Sequence, residues 1–544
     1  MWILKGNDDM RLSYSGIKDT AAWEQAGIRL PSYDPQLLSE QTKADPVWVH
    51  FGIGNIFRIF IGGIADTLIG NGDLDRGIIC AETFDYEVVD RIYDPFDNLV
   101  LAVTLHEDGQ TEQKVLGSLS EAVKAGALDH TRGRLAEVFR SPGLQMVSLT
   151  ITEKGYAMRG AYGTWLPYVQ ADLEKGPAGA VGAMGVLTAM LLERYHERAY
   201  PIAIVSMDNV SANGRKLREC VLETAKEWKA RGYVDGGFLA YVSDESRVSF
   251  PWTMIDKITP RPGEEVYRML TDKGVENMEP VITSRHTYIA PYANAEAPQY
   301  LVVEDNFPNG RPPLEKAGVY MTDRETVNRS ERMKVTVCLN PIHTALCTFA
   351  CMFRYTLFAD CMHDPQLRAL AQELGYQEGL RVVKDPGILS PRAFLDEVLE
   401  VRFPNPYLGD TSARIAVDIS QMVGIRFGET IKAYVEKDGT AAGLTAIPLA
   451  IAGWLRYLLA VDDQGEPFDL SPDPMIPQLQ QLLEGVEFGD PDSLKDRARP
   501  ILSNAHIFGI DLYQAGLGKK IESMLRSMLA GPGAVRETLI SYLD

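Results

Sequence analysis

The chain has 544 residues, enough for two or three domains with large cores. Hydrophobic residues make up 45% of it and charged residues 24%, the balance of an ordinary soluble protein. A net charge of −20 leaves no basic surplus to neutralise phosphates, which excludes nucleic-acid binding, and no apolar run reaches the roughly 18 uncharged residues of a membrane span.

Met1 to Lys5 lead into polar sequence, so no secretory signal is expected and a cytoplasmic location is. None of the six cysteines forms a C-x-x-C pair, and they read as reduced core thiols. Cys347 and Cys351 lie one helical turn apart and could face a metal together with His343, but closely spaced harder ligands are missing and no metal is expected.

In chain order, residues 1–45 read as a polar lead-in. A strong strand, Val47 to Phe51, runs into Gly52, Ile53, Gly54, Asn55, Ile56, Phe57 and Arg58, and a helical pattern continues from Ile59 to Leu68. Strand, glycine turn and helix form a dinucleotide-binding opening: Gly52 permits the tight turn, and Gly54 lets the backbone approach a pyrophosphate at the helix N-terminus. The third glycine of the usual fingerprint is absent. A second strand, Gly77 to Ala81, ends near Glu82 and Asp85. Either acid would accept hydrogen bonds from the adenosine ribose and repel a 2′-phosphate, which favours NAD over NADP; either could equally cap the next helix.

Further strands lie at Met146 to Thr152 and Ile202 to Ser206, separated by one long helix over 177–198. The first leads into Glu153-Lys154-Gly155-Tyr156 and the second into Met207-Asp208-Asn209. Strand C-terminal ends are where open α/β sheets bind ligands. From about residue 331 the period is mostly helical, without convincing strands. The fold class is therefore an α/β, Rossmann-like, doubly wound N-terminal domain, residues 1–320, followed by a mostly α-helical domain, residues 321–544.

The stretch Glu331 to Leu346 gathers Lys334, Asn340 and His343 ahead of a mostly apolar run. Desolvation would push Lys334 toward the neutral amine, as a general base near neutral pH requires. Asn340 precedes a proline and suits a helix N-cap with Pro341 at the first helical position, or its amide could turn outward to an oxygen with developing charge. Without further context the same residues describe a snorkelling lysine, a plain cap and a core histidine.

These residues resemble the Lys…Asn-x-x-His signature of the long-chain polyol dehydrogenases. Gly-x-Gly-x-x-Phe-Arg at Gly52 to Arg58, Thr150-Ile151-Thr152-Glu153-Lys154-Gly155-Tyr156, Ser206 to Gly214, Phe250 to Pro260 and Ala452 to Leu458 are similar to further family segments. The resemblance implies hydride transfer with NAD between a keto sugar acid and its polyol acid, D-fructuronate and D-mannonate. Fructose–mannitol interconversion, as in mannitol 2-dehydrogenase, and a non-catalytic dinucleotide-binding sensor are the alternatives. It implies Lys334 as acid and base, Asn209 and Asn340 as oxyanion donors, His343 on a substrate hydroxyl and Glu331 as proton relay. Gly52, Gly54, Asn55, Phe57, Arg58, Glu82, Asp85, Thr152 and Asp256 would serve the cofactor. Asn209, Asp256, Lys334, Asn340, His343, Arg414 and Arg426 would serve the substrate. A monomer or small homo-oligomer with a small-molecule substrate is expected, and a lysine base makes a catalytic metal unnecessary.

Two departures from the family stand out. Five residues separate Lys334 from Asn340, where the family has four. An extra helical residue turns every later side chain by about 100°, so a bulge or break is expected near Asn340-Pro341. The family's lysine eight residues after the arginine matching Arg414 is Met422 here, and Arg426, one turn later, is the candidate to replace it.

Overall fold

The computed structural model describes residues 10–126, 131–160 and 162–543. Met1 to Lys5, on which the location was read, lies outside them. The chain divides into two compact units. One comprises residues 1–106 and 110–328; the other comprises 107–109 and 329–544.

The first unit is built on a six-stranded sheet. Its strands are β1 (Trp48–Phe51), β2 (Ile78–Glu82), β3 (Leu119–Lys124), β4 (Met146–Leu149), β5 (Ile202–Ser206) and β6 (Val248–Ser249). They lie in the order β3-β2-β1-β4-β5-β6, and every pairing is parallel. This is the doubly wound dinucleotide-binding order. Every residue of β1, β2, β4 and β5 is buried, because helices cover both faces of a parallel sheet, and the strands read as unbroken apolar runs for that reason. The strand order reverses between β1 and β4, so the crevice for a ligand opens where their C-terminal ends part.

Two expectations are corrected here. Residues 1–45 are more than a lead-in: helix Pro35–Ala44 packs on β3, and Ile28–Arg29 joins a second, four-stranded sheet. Its polar outer face hid it, while Asp34 caps its first turn through the N–H groups of Gln36 and Leu37. The long helix over 177–198 is two helices, Pro167–Gly179 and Ala183–Glu197. Asp172 draws the N–H groups of Val181 and Gly182 onto its carboxylate, each at 2.8 Å, and that fixes the break.

The second unit is helical. Helix Asn340–Met352 packs against Ala446–Tyr457, and that helix packs in turn against Gly518–Met528. All of Ala446–Tyr457 is buried. Two stretches, Pro167–Glu197 and Arg324–Met352, are apolar enough by composition to cross a bilayer, contrary to expectation. Their most apolar windows are 61% and 78% buried, so packing in the core accounts for their composition.

One buried polar chain ties β1 to β4. Trp48 Nε1 donates to Ser148 Oγ at 2.7 Å, and His50 Nδ1 meets the same oxygen at 2.6 Å. His50 Nε2 meets Thr150 Oγ1 at 2.8 Å, and that hydroxyl donates to the Gly52 carbonyl at 3.3 Å. Because Thr150 gives its proton to Gly52, the imidazole carries its own on Nε2 and accepts at Nδ1. Burial pulls the His50 pKa well below the usual histidine value. The unfolded chain takes up this proton near pH 6.5, whereas the folded chain resists it. Its contribution to stability is therefore full above about pH 6.5 and is lost as pH falls toward the depressed folded value. Urea denaturation at pH 7.5 and pH 5 checks this. His50→Asn should be less stable at pH 7.5 but lose less on acidification, the gap closing by at most about 1.4 kcal/mol per pH unit.

Candidate active site

The first unit places most of its expected residues along one edge, the C-terminal ends of adjacent parallel strands. Gly52 follows β1 with φ +91°, a conformation that glycine adopts without strain. A Cβ there would lie 2.1 Å from the Thr150 carbonyl oxygen. Gly54 is exposed, with nothing within 4 Å of where its Cβ would be, and its carbonyl accepts the Arg58 N–H at 3.1 Å. The helix thus starts at Asn55 with its first N–H groups at an open, glycine-lined surface. These residues fit a pyrophosphate.

Phe57 and Arg58 stand elsewhere. Phe57 is fully buried and stacks on His50, with ring centroids 4.0 Å apart. It fills the place where a third glycine would let helix and strand close up, and the helix widens there into a π-helical turn, Phe57–Ile61. Arg58 is buried and donates to the carbonyls of Ala290 (2.8 Å), Pro291 (2.8 Å) and Tyr292 (3.4 Å). Both residues hold the glycine turn from beneath. Asn55 accepts from Arg58 at 3.3 Å.

At the end of β2, Glu82 Oε1 accepts the N–H groups of Phe84 and Asp85 at 2.6 and 3.1 Å, and burial raises its pKa. Asp85 is buried and accepts the Thr283 hydroxyl at 2.6 Å. Both acids thus stand buried at the strand end, each already accepting hydrogen bonds from the protein.

Beyond β4, Thr152 adopts φ +62°, in the left-handed region that β-branched residues avoid. Asp208, after β5, explains how it stays there. Its carboxylate accepts the N–H groups of Ile151 (2.9 Å) and Thr152 (2.8 Å) and the Tyr156 hydroxyl (2.6 Å). Asn209, exposed, is the next residue. Asp256 is buried and ends strand Thr253–Asp256 of a three-stranded sheet, opposite Tyr300.

In the second unit the extra residue has a visible home. Helix Arg324–Met333 passes into a π-helical turn, Lys334–Cys338. The Leu339 N–H bonds to the Lys334 carbonyl, five residues back, at 3.1 Å. Leu339 then leaves helical geometry (φ −128°, ψ −67°), and a new helix, Asn340–Met352, begins. The interruption thus falls immediately before Asn340-Pro341. Asn340 is the first helical residue rather than the cap, and its Oδ1 accepts no capping bond among the described residues. Its Oδ1 is buried with no hydrogen-bond partner among the described residues. Lys334 is 1% exposed. Glu331, half-buried, lies one turn before it.

His343 is gripped by two rings. It stacks on Phe403 with centroids 4.4 Å apart, and Phe358 meets it edge-on at 4.9 Å. Arg426 reaches the next residue of the helix: its Nη1 donates to Thr344 Oγ1 at 2.6 Å. Arg414 does not join this group. Its side chain is 73% exposed and pairs at 2.9 Å with Asp410, which precedes its short helix.

Sequence reasoning missed the clamping role of Asp208 and Tyr156, the His50 chain and the aromatic grip on His343. An acid at a strand's C-terminal end signals the first. Nothing in the spacing signals the last, since Phe358 and Phe403 are far apart in the chain.

A Rossmann sheet with an open turn after β1, and a helical unit that buries an amine, define a two-domain dehydrogenase. Comparison with known proteins narrows the class. The chain belongs to the mannitol dehydrogenase family: residues 47–316 match the mannitol dehydrogenase Rossmann domain, and residues 326–529 match its C-terminal domain. It is an oxidoreductase acting on a CH–OH group. It is 49% identical to a D-mannonate oxidoreductase of Thermotoga maritima over 97% of this chain and 98% of the relative. A D-mannonate oxidoreductase of Escherichia coli is 31% identical over 90% and 92%. Among solved structures, the Pseudomonas fluorescens mannitol 2-dehydrogenase ternary complex with NAD and D-mannitol is similar, with TM-score 0.70 and 25% identity over 98% of this chain and 99% of that one. A substrate-free D-sorbitol dehydrogenase shares the fold, with TM-score 0.77 and 24% identity over 95% and 98%.

The clamp at Asp208 gives a test. Removing one acceptor of a buried network strands its donors at about 1–3 kcal/mol each. Asp208→Ala should destabilise the protein by about 3 kcal/mol or more, and Tyr156→Phe by about 1 kcal/mol, read as shifts of the urea midpoint.

Proposed function

We propose that the protein is an NAD-dependent reductase of a keto sugar acid, interconverting D-fructuronate and D-mannonate. The observation that carries this reading is the buried Lys334 followed on the interrupted helix by Asn340, whose carboxamide is not spent as a helix cap. The two D-mannonate oxidoreductase relatives support the choice of substrate. Mannitol 2-dehydrogenase activity is the second reading, favoured by likeness to the D-mannitol complex.

NAD supplies and accepts the hydride. Gly52, Gly54 and Asn55 hold its pyrophosphate, Glu82 or Asp85 its adenosine ribose, and Thr152 and Asp256 complete that side. Phe57 and Arg58 act by fixing the turn. Lys334, as ammonium, gives a proton to the new alkoxide and, as amine, takes it back in the oxidising direction. Asn209 and Asn340 act as oxyanion donors, one such donor being worth about 3 kcal/mol. His343, fixed by its two rings, orients a neighbouring hydroxyl. Glu331 relays protons between Lys334 and solvent. Asn209, Asp256 and Arg426 contact the rest of the substrate. In this reading residues 1–320 bind the dinucleotide and residues 321–544 the substrate. The enzyme works in the cytoplasm as a monomer or small homo-oligomer.

NADH oxidation with D-fructuronate, D-tagaturonate and D-fructose tests the reading, and D-fructuronate should be turned over fastest. Lys334→Ala should cut kcat by about 10²- to 10⁴-fold while NADH binding, followed by fluorescence, persists. Full activity in that variant, or no turnover of any of the three, overturns the proposal.

A further inference from the structure

Most of the large buried cations of this fold are bound by several carbonyl groups. Arg194 donates to five backbone oxygens, those of Phe139, Ser141, Leu144, Tyr200 and Pro201. Arg456 donates to three and Arg58 to three. Arg426 differs. Its single hydrogen bond among the described residues is the one from Nη1 to Thr344 Oγ1. No carboxylate pairs with it among the described residues, although the chain carries 74 acidic residues. Its Nε is buried without a partner. Arg58, Arg76, Arg218 and Arg247 also have an unpartnered Nε, but their Nη atoms are bound by carbonyls or acids. In Arg426 the whole Nε–Nη2 edge lacks a protein partner among the described residues, and that edge is the planar fork that takes a carboxylate in two parallel hydrogen bonds.

The placement is specific. Thr344 lies one helical turn after Asn340 and directly after His343, so its hydroxyl holds the guanidinium beside the helix face that carries the carboxamide. The turn that presents Arg426, Gly424–Gly428, is itself pinned. A Cβ on Gly428 would lie 2.0 Å from the Phe508 carbonyl oxygen, so the backbones touch there. Burial lowers the Arg426 pKa, as it does for a cation held from water without a counterion.

We propose that the Nε–Nη2 edge of Arg426 is the carboxylate anchor that selects a sugar acid over the uncharged polyol of the same stereochemistry. The inference rests on the proposed function and deepens it. A carboxylate fits better than a phosphate ester, because the planar fork meets two coplanar oxygens.

The test compares wild type, Arg426→Ala and Arg426→Lys, with NADH and three substrates: D-fructuronate, D-fructose and D-fructose 6-phosphate. In Arg426→Ala, kcat/KM for D-fructuronate should fall on the order of 100-fold, mostly through KM, and at least about tenfold more than for D-fructose. Arg426→Lys should fall between, since it keeps the charge and loses the fork. Equal losses on both sugars would mean a merely structural role and overturn the anchor. So would a phosphate ester that is the best substrate of wild type and loses most in Arg426→Ala. If wild type reduces none of the three, the proposed function fails on its own, and thermal stabilisation by D-mannonate against D-mannitol decides the anchor. D-mannonate should then raise the wild-type Tm more than D-mannitol does, with the difference gone in Arg426→Ala. No such difference in wild type overturns it.

Discussion

Two groups on one helix can act together only if their angular register is kept, and each added residue rotates all later side chains by about 100°. The sequence from Lys334 to Asn340 carries such an added residue relative to the family pattern. The chain resolves the conflict in its backbone. The π-helical turn Lys334–Cys338, closed by the i to i−5 bond from Leu339 to Lys334, takes up one residue, and the helix then restarts at Asn340. The same interruption frees the side chain of Asn340 from capping. A residue that capped the helix would spend its oxygen on the first-turn N–H groups. Here the capping position falls to Leu339, which has no side-chain oxygen, and the carboxamide oxygen stays uncommitted.

The first unit solves a matching problem with a buried network. A parallel sheet leaves the chain at each strand end free to wander, and ligand sites need those ends fixed. Asp208 fixes the end of β4 by collecting two backbone N–H groups and a tyrosine hydroxyl, and the left-handed Thr152 is held in place by that collection. His50 fixes the end of β1 through Thr150 and Gly52. Both devices hang on side chains fully or nearly buried, so their strength comes from a low local dielectric and from every donor having its acceptor.

The sheet was legible because its strands are apolar runs ending in glycine or acid, and the helical unit because its period is long and regular. The interruption after Lys334 was legible as a residue count, though its form, a π-helical turn, was not. What stayed hidden depended on contacts distant in sequence. Phe57 and Arg58 sit in the fingerprint, yet one packs on a strand histidine and the other binds carbonyls more than 230 residues away. Helix Pro35–Ala44 was hidden because its apolar stripe is short and its outer face polar. The break after Gly179 was hidden because nothing in the composition of residues 177–182 announces that Asp172 will capture their backbone.

A buried polar atom without a partner costs about 1–3 kcal/mol, a large share of the stability of a folded domain. Folding alone would remove that cost wherever a neighbouring residue could supply a partner. The helical unit does supply partners elsewhere: Glu378 collects the N–H groups of Thr445, Ala446 and Ile447 at the start of a wholly buried helix. Against that background Asn340 Oδ1 and Arg426 Nε are a buried acceptor and a buried cationic donor on neighbouring elements, neither partnered among the described residues. A polyol acid carries the complementary set, a hydroxyl to give and a carboxylate to receive. A ligand that binds the folded chain alone also stabilises it, by mass action, so under the proposed function the cost of these atoms would fall on the free enzyme and be recovered when such a substrate binds.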